Sequence, residues 1–255
     1  MSASPRPTRT NSPPQDNRML AGLTAAEWRR WQPHLVQVDL APGQVLSESG
    51  STPAFVYFPS TAIVSLLYVT QDGGSAEFAV VGHDGVVGIS IFMGGNATPS
   101  RSVVQTAGRA WRIGATVVKS EVLRAGPLLG TVLRYTQALI AQVAQTAICN
   151  RYHSIDEQLC RRLLLGLDRS AGDELLMTQE GMAQMLGVRR EGVTAAALKL
   201  QQAGVISYRR GRISVLDRRQ LEQRSCECYA AARKLEVAPL QGTPERTLRS
   251  VCAPG

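Results

Sequence analysis

Arg189, Arg190, Glu191 and Thr194 stand close together in residues 178–217, TQEGMAQMLGVRREGVTAAALKLQQAGVISYRRGRISVLD. These residue types can read the edge of a base pair. An arginine bonds two acceptors of guanine, a glutamate accepts from cytosine, and a threonine methyl meets the methyl of thymine. Arg209, Arg210 and Arg212 form a second basic group, suited to phosphates, which position a protein on a duplex without reading its sequence. Thr178, Gln179 and Lys199 complete the candidate contact set.

Such side chains need elements to aim them. Thr178 is an oxygen-bearing residue just ahead of an apolar-periodic run, the chemistry of an N-cap. Met182 and Leu186 lie one helical turn apart and define one buried face. Ala183 is small where a second helix must cross, and Val188 plugs the turn. Gly187 sits where the chain must turn left-handed out of the first helix. Val193, Ala196 and Leu200 give the second helix its inward face, leaving Arg189, Arg190, Glu191 and Thr194 outward at its leading end. Ala203-Gly204 ends that helix, and residues 205–208 and 212–216 alternate as strands around the tight hairpin Arg209-Arg210-Gly211. The series predicts a helix-turn-helix with a basic wing. Charge agrees: residues 178–224 hold nine Lys/Arg against four Asp/Glu, in a chain of net charge +8. Phosphate neutralisation supplies most non-specific DNA affinity, so double-stranded DNA is the expected partner.

At 255 residues and 44% hydrophobic content the chain can bury one large or two ordinary cores. No run approaches the roughly 20 apolar residues of a membrane span, and no membrane partner is expected. Residues 1–18 are rich in Pro, Ser, Thr and Arg without an apolar stretch, which predicts a disordered tail, not a signal peptide. The five cysteines, Cys149, Cys160, Cys226, Cys228 and Cys252, show no disulfide framework, which fits a reducing cytoplasm. Cys226-Glu227-Cys228 has no second pair at metal spacing, and His34, His83 and His153 are scattered. No metal ligand is therefore assigned.

Residues 20–33 read as a short helix with Thr24 as cap and Glu27 closing a capping box. From Val36 to about Lys119, the runs VQVDL, FVYFP, AIVSLLYV, AEFAVVG, VVGISIF, SVVQTAG and AWRIG alternate with Gly, Pro and Asp turns. Short strands at this spacing predict a small antiparallel barrel or sandwich. Helical texture then returns. Leu129, Val132, Leu133, Leu139, Ile140 and Val143 form a broad apolar stripe on a long helix over 126–150, read as a two-helix dimer seam. Ser154 caps a further helix that opens the C-terminal domain. The expected division is a tail over 1–18, a β-domain over 19–125, the long helix over 126–150, the DNA-reading domain over 151–225 and an extension over 226–255.

A β-roll, a long helix and a winged helix-turn-helix, in that order, resemble the Crp/Fnr family of bacterial transcription regulators from about Leu20 to Glu222. The sharpest match is Gly187-Val188-Arg189-Arg190-Glu191-Gly192-Val193. The resemblance implies an α+β fold: an antiparallel β-roll like a cyclic-nucleotide-binding domain, a dimerisation helix and the winged domain. It also implies a homodimer, with RNA polymerase as a further partner. Arg190 and Glu191 fall on the family's base-reading positions. Arg189 stands where the family usually has serine, and Ala195 where some members carry another base-contacting arginine. In members that bind cyclic nucleotides, a glutamate holds the ribose hydroxyl and an arginine the cyclic phosphate. Here Gly88, Ile89 and Ser90 occupy the first part and Arg101 and Ser102 the second. Ile89 replaces the glutamate and cannot accept a hydrogen bond. Leaving a ribose hydroxyl unpaired costs about 1–3 kcal/mol, so cyclic AMP is not the expected effector. No cysteine precedes Cys149, so the family's N-terminal iron–sulfur cluster is not expected, nor is haem on His83. Val188-Arg189-Arg190 with Val193-Thr194, and Cys226-Glu227-Cys228-Tyr229 after the wing, match a subgroup whose effector the resemblance does not imply. Two rival readings are a cupin-type β-barrel enzyme and a small-molecule-binding module acting on a protein. The first wants clustered histidines and carboxylates; the second leaves the arginines without a role.

Overall fold

The computed structural model describes residues 12–170 and 172–237. The chain enters the fold earlier than its composition predicts. Asn17 is fully buried and caps α1 (Arg18–Ala21), accepting from the Met19 and Leu20 amides at 3.0 and 3.2 Å. Its side-chain amide donates to the Pro59 and Gly85 carbonyls at 2.9 and 3.0 Å. The expected tail therefore stops short of residue 18, because these four bonds pin Asn17 into the β-domain; residues 1–11 lie outside the described residues. The Thr24–Glu27 capping box forms at the head of α2 (Ala25–Trp31). The same Glu27 carboxylate accepts the Leu128 amide at 2.7 Å, so one buried acid caps two helices.

The β-domain holds β1 (Val36–Leu40), β2 (Val45–Ser47), β3 (Phe55–Pro59), β4 (Ile63–Val69), β5 (Ser75–Val81), β6 (Arg101–Thr106) and β7 (Gly108–Gly114). They form two antiparallel sheets, ordered β1-β7-β3 and β2-β6-β4-β5. Side chains alternate across a pleat, so each strand sends one set of residues inward. Trp31, Phe58, Ile91, Ile113 and Val118 meet in one cluster and Val64, Val81 and Val104 in a second. The run VVGISIF is not a strand. Val87 makes one bridge to Tyr57, and Gly88 at φ 100° then turns the chain into α3 (Ile89–Phe92). Helix α4 (Ala115–Val122) closes the β-domain.

Helix α5 runs from Pro127 to Tyr152, and its apolar stripe serves two faces. Leu128, Val132, Tyr135 and Leu139 pack into the β-domain core, whereas Leu133 and Ile140 stay exposed. Val132 and Leu139 therefore leave the expected dimer seam, because their own β-domain covers them. Leu129 and Val143 are half-buried.

The C-terminal domain comprises α6 (Ile155–Arg169), β8 (Glu174–Leu176), α7 (Gln179–Leu186), α8 (Arg190–Gln202), β9 (Ile206–Arg209), β10 (Arg212–Val215), α9 (Arg218–Gln223) and α10 (Glu227–Val237). Ser154 caps α6 and forms a capping box with Glu157. The hydrogen bonds from the Ser154 hydroxyl and amide hold the Glu157 carboxyl below its ordinary range. The small sheet has the order β8-β10-β9, and β8 was not foreseen in the sequence. Leu163, Leu164, Met182, Val193, Leu200 and Ile213 share one core. No helix among the described residues is long and apolar enough to cross a membrane.

Candidate nucleic-acid interface

Thr178 caps α7 as expected, its hydroxyl oxygen accepting the Gly181 amide at 3.0 Å. Gly187 ends that helix at φ 64°, and the Val188 amide reaches back to the Ala183 carbonyl at 3.1 Å. This closure satisfies carbonyls left open at the helix end and swings the chain into α8. Met182, Ala183 and Leu186 of α7 bury against Val193, Ala196, Ala197 and Leu200 of α8.

The opposite side of α8 is open. Arg189, Arg190 and Glu191 are exposed at its leading end, and neither guanidinium has a hydrogen-bond or ion-pair partner among the described residues. Arg189 is the N-cap residue, and its side chain makes no capping bond. The Gly192 amide donates to the Arg189 carbonyl at 3.1 Å, no side chain caps the Arg190 and Glu191 amides, and the helix dipole adds positive potential at the same end. The Thr194 hydroxyl is within 3.0 Å of the Gln179 side-chain oxygen and 2.9 Å of the Arg190 carbonyl.

The wing joins this surface through Thr178. Arg209 pairs with Arg212 across the hairpin, leaving Arg210-Gly211 as a two-residue turn. Both have positive φ, 48° and 76°, the mark of a type I′ turn whose twist suits a hairpin. The Met177 amide donates to the Gly211 carbonyl at 2.8 Å. A Cβ on Gly211 would lie 3.6 Å from Thr178 Cγ2. A continuous path therefore runs from Arg210 and Gly211 through Thr178 and Gln179 to Thr194 and Arg190. Arg209 and Arg210 are exposed at its wing end.

Two residues of the contact set point elsewhere. Lys199 Nζ pairs with Asp156 of α6 at 2.7 Å, so it ties the recognition helix to its neighbour and leaves the open face. Arg212 is paired with Glu174 at 3.1 Å, which offsets its charge across the β8–β10 ladder.

Three effector residues of the β-domain, Ile89, Arg101 and Ser102, are engaged within the chain. Ile89 packs against the apolar core. Arg101 Nε lies 3.2 Å from Glu48 Oε2, and the Ser47 hydroxyl donates to the buried Ser102 hydroxyl at 3.0 Å. Ser90 Oγ is buried without a hydrogen-bond partner.

The sequence reading missed a gathering of cysteines. Cys149, His153, Cys226 and Cys228 converge where α5 ends and α10 begins, all four ligand-type atoms lying within 4.8 Å of one another. The assignment of no metal ligand is thereby reopened, because the fold joins a C-x₃-H pair at helical spacing to the C-x-C pair. The i, i+4 spacing of Cys149 and His153 was the available signal, but the predicted helix ended at residue 150 and left His153 outside it.

Residues 157–224 match the Crp-like helix-turn-helix domain. The whole fold has solved counterparts. A transcriptional regulator of the Crp/Fnr family from Eubacterium rectale superposes with a TM-score of 0.62 at 17% identity, covering 79% of this chain and 94% of that one. Residues 157–224 are thus a Crp-like helix-turn-helix domain, and the chain as described has the fold of solved Crp/Fnr regulators. FixK2 from Bradyrhizobium japonicum gives a TM-score of 0.63 at 13% identity, covering 75% of this chain and 98% of its own. A CRP-family transcriptional regulator from Thermus thermophilus gives 0.62 at 18%, covering 74% and 96%. At such identities these likenesses are of fold. No curated protein sequence matches the chain.

Proposed function

We propose that this protein is a Crp/Fnr-type regulator that reads a specific duplex sequence as a homodimer, under control of a β-domain whose effector is not cyclic AMP. The observation that carries the DNA reading is the pair of unpartnered, exposed arginines at the leading end of α8, contiguous with the basic wing. Arg190 and Glu191 take the base-reading role. Arg189, Arg209 and Arg210 meet phosphates. Thr178 and Gln179 hold the wing and α8 in register. A dimer supplies two recognition helices about one DNA turn apart. Leu133 and Ile140, one heptad apart and exposed on α5, support that assembly.

Loss of cyclic AMP binding is supported by three side chains of the β-domain. Ile89 offers no acceptor, Arg101 is engaged by Glu48, and Ser102 by Ser47. Coupling requires an effector with different affinity for two arrangements of the protein.

Selection of bound duplexes from a random pool tests the DNA reading. A palindromic site is expected, and Arg190→Ala is expected to lose discrimination at one position of each half-site while keeping salt-sensitive non-specific binding. Unchanged discrimination would reject the role of Arg190. An asymmetric single site would reject the dimer. Calorimetric titration showing micromolar cyclic AMP binding would reject the third part of the reading.

A further inference from the structure

The cysteines at the α5–α10 contact are arranged as a ligand set. Cys149 Sγ lies 3.6 Å from Cys226 Sγ, and Cys228 Sγ lies 3.5 Å from His153 Nδ1. A tetrahedral zinc with bonds of about 2.3 Å to sulfur and 2.0 Å to nitrogen requires ligand–ligand edges of about 3.5–3.8 Å. These two edges match that size, and the remaining ones are held within 4.8 Å. A four-iron cluster places metal and sulfide between its thiolates and needs them further apart than the 4.8 Å that encloses this set.

The surroundings complete the site. All three cysteines are buried, with Cys149 and Cys228 fully so. The Gln145 side-chain amide donates to Cys228 Sγ at 2.8 Å. With Nδ1 turned to the sulfurs, His153 Nε2 lies 3.3 Å from Glu227 Oε1. A carboxylate behind a histidine fixes which ring nitrogen carries the proton and raises the basicity of the other, the usual support of a metal-bound imidazole. Core thiols need none of this. Cys160, buried in the apolar cluster of α6 and α8, has no such company.

We infer that Cys149, Cys226 and Cys228, as thiolates, and His153, through Nδ1, bind one zinc-class divalent cation in a closed tetrahedral site. A set of three sulfurs and one nitrogen selects a soft or borderline ion over magnesium or calcium. Four protein ligands leave no open position, so the site is structural and not hydrolytic. Its place in the fold gives the ion a task. His153 is the C-cap of α5 and directly precedes Ser154, the N-cap of α6. Cys226 and Cys228 bracket Glu227, the first residue of α10. The ion fastens α10 across the joint at which the long helix hands over to the DNA-reading domain.

The test uses full-length protein, reduced and then freed of metal by a chelator. Titration with zinc is expected to saturate at one ion per chain by elemental analysis. Titration with cobalt(II) is expected to give the intense visible bands of a tetrahedral ion together with thiolate-to-cobalt charge transfer. Cys228→Ser should lose the stoichiometric ion, and Cys160→Ala should keep it. If Cys228→Ser fails to fold, the wild-type cobalt spectrum decides alone. Absence of zinc uptake would overturn the inference. So would an octahedral cobalt spectrum, or iron with acid-labile sulfide in the purified protein. A Cys149–Cys226 disulfide as the stable form in metal-replete medium would overturn it as well.

Discussion

The Arg162 guanidinium of α6 meets the Glu77 carboxylate of β5 with Nε 2.6 Å from Oε1, each side chain only 5% exposed. This pair joins the DNA-reading domain to the β-domain, and Arg162 also reaches Gln105 of β6. Breaking a buried pair by removing one partner leaves the other charge without solvent or counterion. Glu77→Ala and Arg162→Ala are each expected to lower unfolding stability by about 3–5 kcal/mol. The double replacement Glu77→Leu with Arg162→Met should cost much less. Chemical denaturation measures all three. A loss in the double variant equal to the sum of the two single losses would show that the pair is not coupled.

A second bond across the same boundary carries a pH signature. Asp84 Oδ2 lies 3.0 Å from Arg169 Nη2. Burial pushes the Asp84 carboxyl up, but the charge of Arg169, then that of His83, and the hydrogen bonds outweigh it and hold it below the usual carboxylate range. A depressed carboxyl stabilises the fold above its unfolded value of about 4 and loses that contribution as pH falls through the folded value. Asp84→Asn should therefore be less stable than wild type at neutral pH and converge with it in acid. A constant difference across that range would contradict this account.

The wing turn separates conformation from charge. Arg210 holds φ 48°, a left-handed conformation that costs an L side chain about 1 kcal/mol through its Cβ and that asparagine tolerates. Arg210→Asn should raise thermal stability slightly and still weaken DNA binding. In a homodimer the substitution removes one phosphate contact per protomer, so the slope of log affinity against log salt should shrink by about 1.8. An unchanged slope would place Arg210 away from the backbone.

Local chemistry was legible and distant chemistry was not. Thr178, Gly187 and the capping boxes of Thr24 and Ser154 act on residues within four positions, so spacing alone located them. The β-branched run ending at Phe92 misled because Gly88 redirects it into a helix. Lys199 looked free because Asp156, its partner, lies 43 positions away. The C-x-C pair looked isolated for the same reason, since Cys149 and Cys226 are 77 positions apart. Val132 and Leu133 are neighbours in one apolar stripe, and only the packed β-domain shows that they serve different faces.

The missing capping bond at Arg189 sets two functions against each other. A serine there would accept an amide of the first turn and stabilise α8 by about 1 kcal/mol. The arginine forgoes that bond and places a cation beside the open amides. Arg189→Ser is thus expected to raise the denaturation midpoint and reduce affinity for all duplexes alike, without changing base preference. Competition between specific and random duplexes measures the last point. A changed preference would move Arg189 from phosphate to base contact.

The two faces of α5 make opposite predictions. Leu133 and Ile140 are 60% and 63% exposed, while Val132 is 2% exposed within the β-domain core. Leu129 and Val143 lie at three- and four-residue steps from the exposed pair and are half-buried, which completes a seam of heptad spacing. A charge placed in such a seam must be desolvated on pairing but costs nothing in the separate chain. Ile140→Glu should therefore shift sedimentation toward monomer and leave unfolding of the β-domain unchanged. Val132→Ala removes buried methyls and should cost on the order of 2 kcal/mol in stability while the mass in solution stays dimeric. If Ile140→Glu sediments as wild type, the exposed stripe is not the seam. If Val132→Ala alone dissociates the protein, the division of the helix between its two faces is wrong.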